Sequence, residues 1–200
     1  QIAKWADMNG LHMLVDEIYH GLQYVADIPS ILEVYDDAFV VSSFSKYFGM
    51  TGWRLGWIIV PQGYVETAEM LAQNLFISAP SIAQFAALKA FSNEATEIFE
   101  ERRNAFQLRK SFLTSELKSL GFVIPDEIHG AFYVYADISK FSQDAESFCN
   151  KLLIEYKVAI TPGTDFGHHK ARQHVRFAFT TSMKDLELGI ERLNSALRIL

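Results

Sequence analysis

Cysteine is nearly absent from this 200-residue chain. Cys149 stands alone, so no disulfide can close within it, and its helical spacing with Ala145, Phe148, Leu152 and Leu153 predicts a buried core thiol. Cations are also in short supply: 18 Lys and Arg face 24 Asp and Glu, a formal charge of −6. Without clustered positive charge, unspecific binding to nucleic acid or to an anionic membrane is disfavoured. Long apolar runs are missing too. The longest, residues 79–91, is interrupted by Ser81, Gln84 and Lys89, and no charged-then-apolar leader opens the chain, which reads as soluble and cytoplasmic. His168, His169 and His174 lack a matching cysteine or carboxylate set at ligand spacing, so no metal is expected. Gly49, Gly52 and Gly56 make no dinucleotide fingerprint, because Gly56 leads into a strand and no helix opens after them. There is no internal repeat or low-complexity segment.

What is present is a globular composition, 50% hydrophobic and 14% aromatic, enough for a sizeable core. Residues 2–8 read as the tail of a helix stopped by Asn9-Gly10. The short apolar runs at residues 12–15, 38–42 and 54–60 suit buried parallel strands, the last ended by Pro61. Residues 63–91 are helical with a break at Ser78-Ala79-Pro80-Ser81, and a long amphipathic helix covers residues 96–120, ended by Gly121. A strand at 131–136, a helix at 144–156, strands at 158–160 and 174–179 and a final helix follow. Ser182 and Asp185 form a capping pair for that helix, whose apolar stripe is Leu186, Ile190, Leu193 and Leu197.

The chemistry concentrates in two segments, Asp16-Glu17-Ile18-Tyr19 and Ser43-Phe44-Ser45-Lys46 with Arg54. Pyridoxal phosphate demands an amine for its aldehyde, donors for its phosphate, a carboxylate beside its pyridine nitrogen and a donor for its phenolic oxygen. Lys46 supplies the amine, Arg54 and Ser43 the phosphate donors, Asp16 the carboxylate and Tyr19 the phenol. Asp16 and Lys46 both fall just past the C-terminal ends of predicted strands, where open α/β sheets place ligands.

The stretch Ser43-Phe44-Ser45-Lys46-Tyr47-Phe48-Gly49-Met50-Thr51-Gly52-Trp53-Arg54-Leu55-Gly56-Trp57 resembles the signature of the class I/II aminotransferases, the aspartate-aminotransferase-like branch of fold type I pyridoxal-phosphate enzymes. Pro162-Gly163-Thr164-Asp165-Phe166-Gly167 and Val175-Arg176-Phe177-Ala178-Phe179-Thr180-Thr181-Ser182 extend the resemblance, in family order, along the whole chain. It implies an α/β fold: residues 1–92 as the C-terminal part of a cofactor-binding large domain with a mainly parallel sheet, 93–121 as a connecting helix, and 122–200 as a small α+β domain. The family's phosphate loop, stacking aromatic ring and cofactor-contacting asparagine lie upstream of this segment. The chain therefore reads as the C-terminal half of a longer enzyme, inactive alone and homodimeric when full length.

Arg176 fits the family's carboxylate-binding arginine, its fork suited to the α-carboxylate of an amino acid. The competing reading is a rim ion pair, and Arg172 reads as a surface residue. Tyr47, Phe48 and Phe76 read either as a pocket for neutral or aromatic side chains or as packing residues. Asp36-Asp37 and Glu100-Glu101 read as solvated charges. The implied reaction moves an amino group between an amino acid and a 2-oxo acid. A lyase of the same fold, acting on carbon–sulfur bonds or resembling aminocyclopropane-carboxylate synthase, would reuse the same residues. The third reading is an aminotransferase-like sensor domain of a transcription regulator.

Overall fold

Apolar side chains on β-favouring backbone build a three-stranded sheet from β1 (Met13–Asp16), β2 (Ala38–Ser43) and β3 (Gly56–Ile59), in that order. The computed structural model describes residues 1–25 and 28–199 and divides the chain into two units, Gln1–Arg103 and Asn104–Leu200. In the first unit β1 runs parallel to β2, with Asp16 opposite Val41. β3 departs from the sequence expectation by running antiparallel, with Ser43 opposite Gly56. The cause is the connection: the chain between Ser43 and Gly56 stays at the C-terminal end of β2, where the Phe44 amide donates to the Leu55 carbonyl at 3.1 Å, whereas a parallel return must cross over to the strand's other end. Burial also departs from expectation. Central β2 is buried at Ala38 and Val40, whereas Leu14 of β1 and Trp57 and Ile58 of β3 stay exposed. β1 and β3 are the sheet's edges among the described residues.

Around this sheet lie α1 (Ile2–Met8), α2 (Val65–Leu75) and α3 (Ser81–Lys89). Gly10, at φ +62, follows α1 as the stop signal implies. α4 (Asn93–Leu120) starts three residues before the expected position, because the Ser92 hydroxyl accepts from the Ala95 amide at 3.2 Å and caps it. The alanines of α3, Ala83 and Ala87, leave room for Phe44, Met50 and Leu55 from the β2–β3 connection, and these close on Phe99 of α4. Losing a ring such as Phe44 from this packing would cost roughly 3–5 kcal/mol.

The second unit has its own antiparallel sheet, β4 (Tyr133–Asp137), β6 (His174–Ala178) and β5 (Thr161–Pro162), ordered β4-β6-β5. α5 (Ala145–Tyr156) and α6 (Met183–Leu197) complete it. Val134, Val175, Phe177, Leu152 and Leu193 are buried together with Cys149. The strand expected at residues 158–160 lies further along, at Thr161–Pro162. Val158, Ala159 and Ile160 instead wall a cavity of about 370 Å³ beside α6. The α6 cap is as expected: Ser182 Oγ accepts from the Asp185 amide at 3.2 Å and donates to its carboxylate at 2.7 Å.

Candidate functional site

Lys46 stands on a loop stitched shut by its own backbone. The Gly49 amide donates to the Lys46 carbonyl at 3.0 Å, the Met50 amide to Phe44 at 2.9 Å, and the Thr51 hydroxyl to Ser45 at 2.7 Å. Phe44 and Ser45 are buried under it, and Lys46 is half-buried. Its ammonium nitrogen lies 5.9 Å from the centre of the Tyr19 ring. Gly49 has φ +68, a left-handed conformation that favours glycine.

Ser43 and Arg54 flank this loop. The Ser43 hydroxyl accepts from the Ser45 amide at 3.0 Å, and its hydrogen has the Leu55 carbonyl at 3.1 Å and Ser45 Oγ at 2.9 Å as acceptors. Arg54 is exposed, with Nη1 donating to the Thr51 carbonyl at 2.9 Å. Its backbone sits in the left-handed region, φ 53 and ψ 50, an uncommon conformation for a non-glycine residue that clusters at functional sites.

Asp16 ends β1, one strand away, where the Glu17 amide donates to the Val41 carbonyl at 2.9 Å. Its exposed carboxylate accepts from the Ile18 amide at 3.0 Å. Sequence reasoning missed Glu17 as the anchor of this segment. Its carboxylate accepts from the Ser30 hydroxyl at 3.0 Å and the Ile31 amide at 2.9 Å, with His20 Nδ1 at 3.4 Å. The contact joins residues thirteen and fourteen apart through a loop, and no local pattern announces it.

Glu100 corrects a second reading. Its side chain keeps 41% exposure, but the charge is partnered: the Tyr47 hydroxyl donates to Oε1 at 2.7 Å and Arg103 Nε to Oε2 at 2.7 Å. Burial opposes its ionisation, yet these two hydrogen bonds and the Arg103 charge outweigh it and hold the carboxyl below its ordinary range. Burial first, then the bond to Glu100, pushes the Tyr47 phenol up to about 12, so it stays a donor at neutral pH. Arg103 Nη1 reaches the Gln23 carbonyl at 3.3 Å, and Gln23 Oε1 accepts from the Gly21 amide at 2.7 Å. A β-carbon on Gly21 would enter the Tyr47 ring. Tyr47 and Phe48 pack against the Phe44 and Phe99 rings, which makes them packing residues of the first unit.

Asp16 and Ser43 thus end β1 and β2, Tyr19 and Lys46 follow them in the chain, and Arg54 precedes β3, while Arg176 belongs to the second unit, in β6. The Arg176 guanidinium carbon lies 4.5 Å from the Phe166 ring centre and 5.4 Å from that of Tyr133. Its Nε is buried with no hydrogen-bond partner among the described residues. The competing reading, a rim ion pair, finds no carboxylate partner for it among the described residues. Pro162 leads into a 3-10 turn at Gly163–Asp165 that carries Phe166, and a β-carbon on Gly163 would meet the Ala171 carbonyl and the Tyr135 hydroxyl. Arg172 pairs with Asp144 at 3.5 Å on the surface. His174 stacks on Tyr135 at 4.9 Å.

A crystal structure of an aminotransferase from Mycobacterium tuberculosis superimposes on the whole chain with a TM-score of 0.96 at 38% identity, covering 52% of that protein. The fold is therefore the α/β fold of aminotransferases. Residues 1–193 match the family described as aminotransferase class I and II, and the chain belongs to that family, which is pyridoxal-phosphate dependent. The valine–pyruvate aminotransferase of M. tuberculosis is 38% identical over 196 residues, 97% of this chain and 50% of the relative. The (5-formylfuran-3-yl)methyl phosphate transaminase of Methanocaldococcus jannaschii is 36% identical over 200 residues, 98% of this chain and 53% of the relative. The chain spans about half the length of these relatives. No helix among the described residues is long and apolar enough to cross a membrane.

Proposed function

We propose that these residues are part of a pyridoxal-phosphate-dependent aminotransferase that moves an amino group between an amino acid and a 2-oxo acid. One observation carries it: the Lys46 amine lies 5.9 Å from the Tyr19 ring, and the two residues follow the C-terminal ends of two parallel strands, the first of which ends at Asp16, where α/β sheets bind ligands. The donor chemistry fits the cofactor. Asp16 offers an exposed carboxylate to a protonated ring nitrogen, Tyr19 a phenol, Arg54 a two-pronged phosphate donor. Ser43 reaches a phosphate by exchanging a hydrogen bond now made within its loop.

Pyridoxal phosphate, when bound, withdraws the electron pair left as a substrate Cα–H bond breaks. Lys46 Nζ would supply the amine that holds the cofactor and, freed by the substrate amine, would be the base that takes the proton from the substrate Cα and delivers it to the cofactor's C4′ carbon. Asp16 holds the ring nitrogen protonated. Arg176 orients the substrate through its α-carboxylate, which gives the buried Nε the acceptor it otherwise lacks. Transamination is favoured over the lyase and sensor readings by the activity in the names of the two relatives. In this proposal residues 1–92 belong to a large domain with a mainly parallel sheet, 93–121 connect it, and 122–200 form a small domain. The full-length protein works as a cytoplasmic homodimer.

The full-length protein with pyridoxal phosphate is expected to show a visible absorption band that changes on adding a suitable amino acid, with release of the matching 2-oxo acid. Lys46→Ala is expected to abolish the covalent cofactor, read as a borohydride-stable mass increase. A mass increase retained in Lys46→Ala overturns the assignment of Lys46.

A further inference from the structure

The geometry points to Glu100 as a positioning residue for Lys46, acting through the Tyr47 hydroxyl. The inference rests on the proposed role of Lys46 and adds to it a residue fifty-four positions away on α4.

The loop around Lys46 is closed by bonds internal to residues 43–55. Such bonds fix the loop's shape, while its placement comes from Phe44, Met50 and Leu55 packed on α3 and Phe99 and from Tyr47. Tyr47, next in the chain after Lys46, extends from that loop to α4, where its hydroxyl meets Glu100 Oε1 at 2.7 Å, the short distance of a charge-assisted O–H···O⁻ bond. Arg103 Nε holds the carboxylate's other oxygen at 2.7 Å and so restrains it. Arg103 is fixed in turn by the Gln23 carbonyl, and the Gln23 side chain binds the Gly21 amide.

Gly21 lies two residues beyond Tyr19, and its α-carbon faces the Tyr47 ring so closely that no side chain fits between them. Tyr47 is therefore gripped at both ends, by Gly21 at the ring and by Glu100 at the hydroxyl. One carboxylate on α4 thus ties together the segment bearing Lys46 and the segment bearing Asp16 and Tyr19. If the loop shifts, the Lys46 nitrogen shifts relative to the two side chains that would hold the cofactor ring, and displacements near 1 Å are costly for a covalent step. Tyr47, with its raised phenol, and Glu100, held ionised, keep the donor and acceptor roles this bond needs across neutral pH.

The test uses the full-length protein stripped of cofactor. The rate at which pyridoxal phosphate becomes bonded to Lys46 is followed by borohydride trapping and mass, beside kcat, KM for the amino donor, and Tm. Glu100→Ala and Tyr47→Phe should each slow attachment and lower kcat about tenfold, the loss expected from one charge-assisted bond, with KM little changed. Glu100→Gln keeps an acceptor for Tyr47 and should recover most of both rates. Joining Tyr47→Phe to Glu100→Ala should add little to either alone, since both cut one link. Should Glu100→Ala fail to fold, Tyr47→Phe, which removes one oxygen, carries the test. A lowered Tm with unchanged attachment rate and kcat overturns the inference while leaving the assignment of Lys46 intact. A wild-type protein whose Lys46 takes up no pyridoxal phosphate overturns both.

Discussion

Phe166 lies 4.5 Å from the guanidinium of Arg176, brought there by a turn that begins at a glycine no other residue could replace. With Tyr133 at 5.4 Å, the cation rests, among the described residues, on aromatic faces rather than on carboxylates. Rings of this kind steady a guanidinium without neutralising it. An acidic neighbour would compete with the carboxylate of a substrate; a phenyl ring does not.

Arg176→Lys in the full-length enzyme should keep the charge and lose the fork. The expected result is a rise in KM for the amino donor of roughly thirtyfold, the equivalent of about 2 kcal/mol, with Tm nearly unchanged. Steady-state kinetics over an amino acid panel checks it, and an unchanged KM would remove Arg176 from the substrate site.

Cys149 should be inert to iodoacetamide in the native protein and react once the chain is unfolded. Burial, with the Asp165 charge adding, lifts its thiol from 9.0 to about 12. Because the folded value is the higher one, the native state binds the proton more tightly. The stability this contributes is complete below the unfolded value and is lost as pH rises from about 9 towards 12. Urea unfolding of wild type and Cys149→Val at neutral and alkaline pH should show wild type losing more stability with alkalinity. Equal losses would mean that the thiol does not titrate differently in the two states.

Lys157→Gly should stabilise the second unit by about 1 kcal/mol, since Lys157 closes α5 at φ 58, where a β-carbon is penalised and glycine is not. The bond from its ammonium to the Ile154 carbonyl is exposed and returns little to offset this. A fall in the urea midpoint would show that this contact outweighs the backbone.

Much of this arrangement was legible in the sequence where local rules act alone. The α6 cap at Ser182 and Asp185, the stop at Gly10 and the helix break before Ser81 need no more than their neighbours. The direction of β3 was misread because a strand's apolar run looks the same in either direction; the connection decides it. β5 was displaced because Val158 and Ile160 carry strand propensity, yet their side chains line a cavity beside α6. For the candidate site, the sequence motif puts forward Asp16, Tyr19, Lys46 and Arg54, whose roles stand as proposals. Glu17 and Glu100 escaped notice, since their partners, Ser30 and Tyr47, lie thirteen and fifty-three positions away. Residue identity does not encode who meets across such a gap.

Arg54 holds a backbone conformation in which glycine would rest at lower energy by about 1–2 kcal/mol. A screen that rewards thermal resistance alone would drift towards Arg54→Gly. Its winners would surrender the guanidinium that the proposed phosphate contact requires. Robustness and chemistry pull this position in opposite directions, and the arginine marks which demand prevailed.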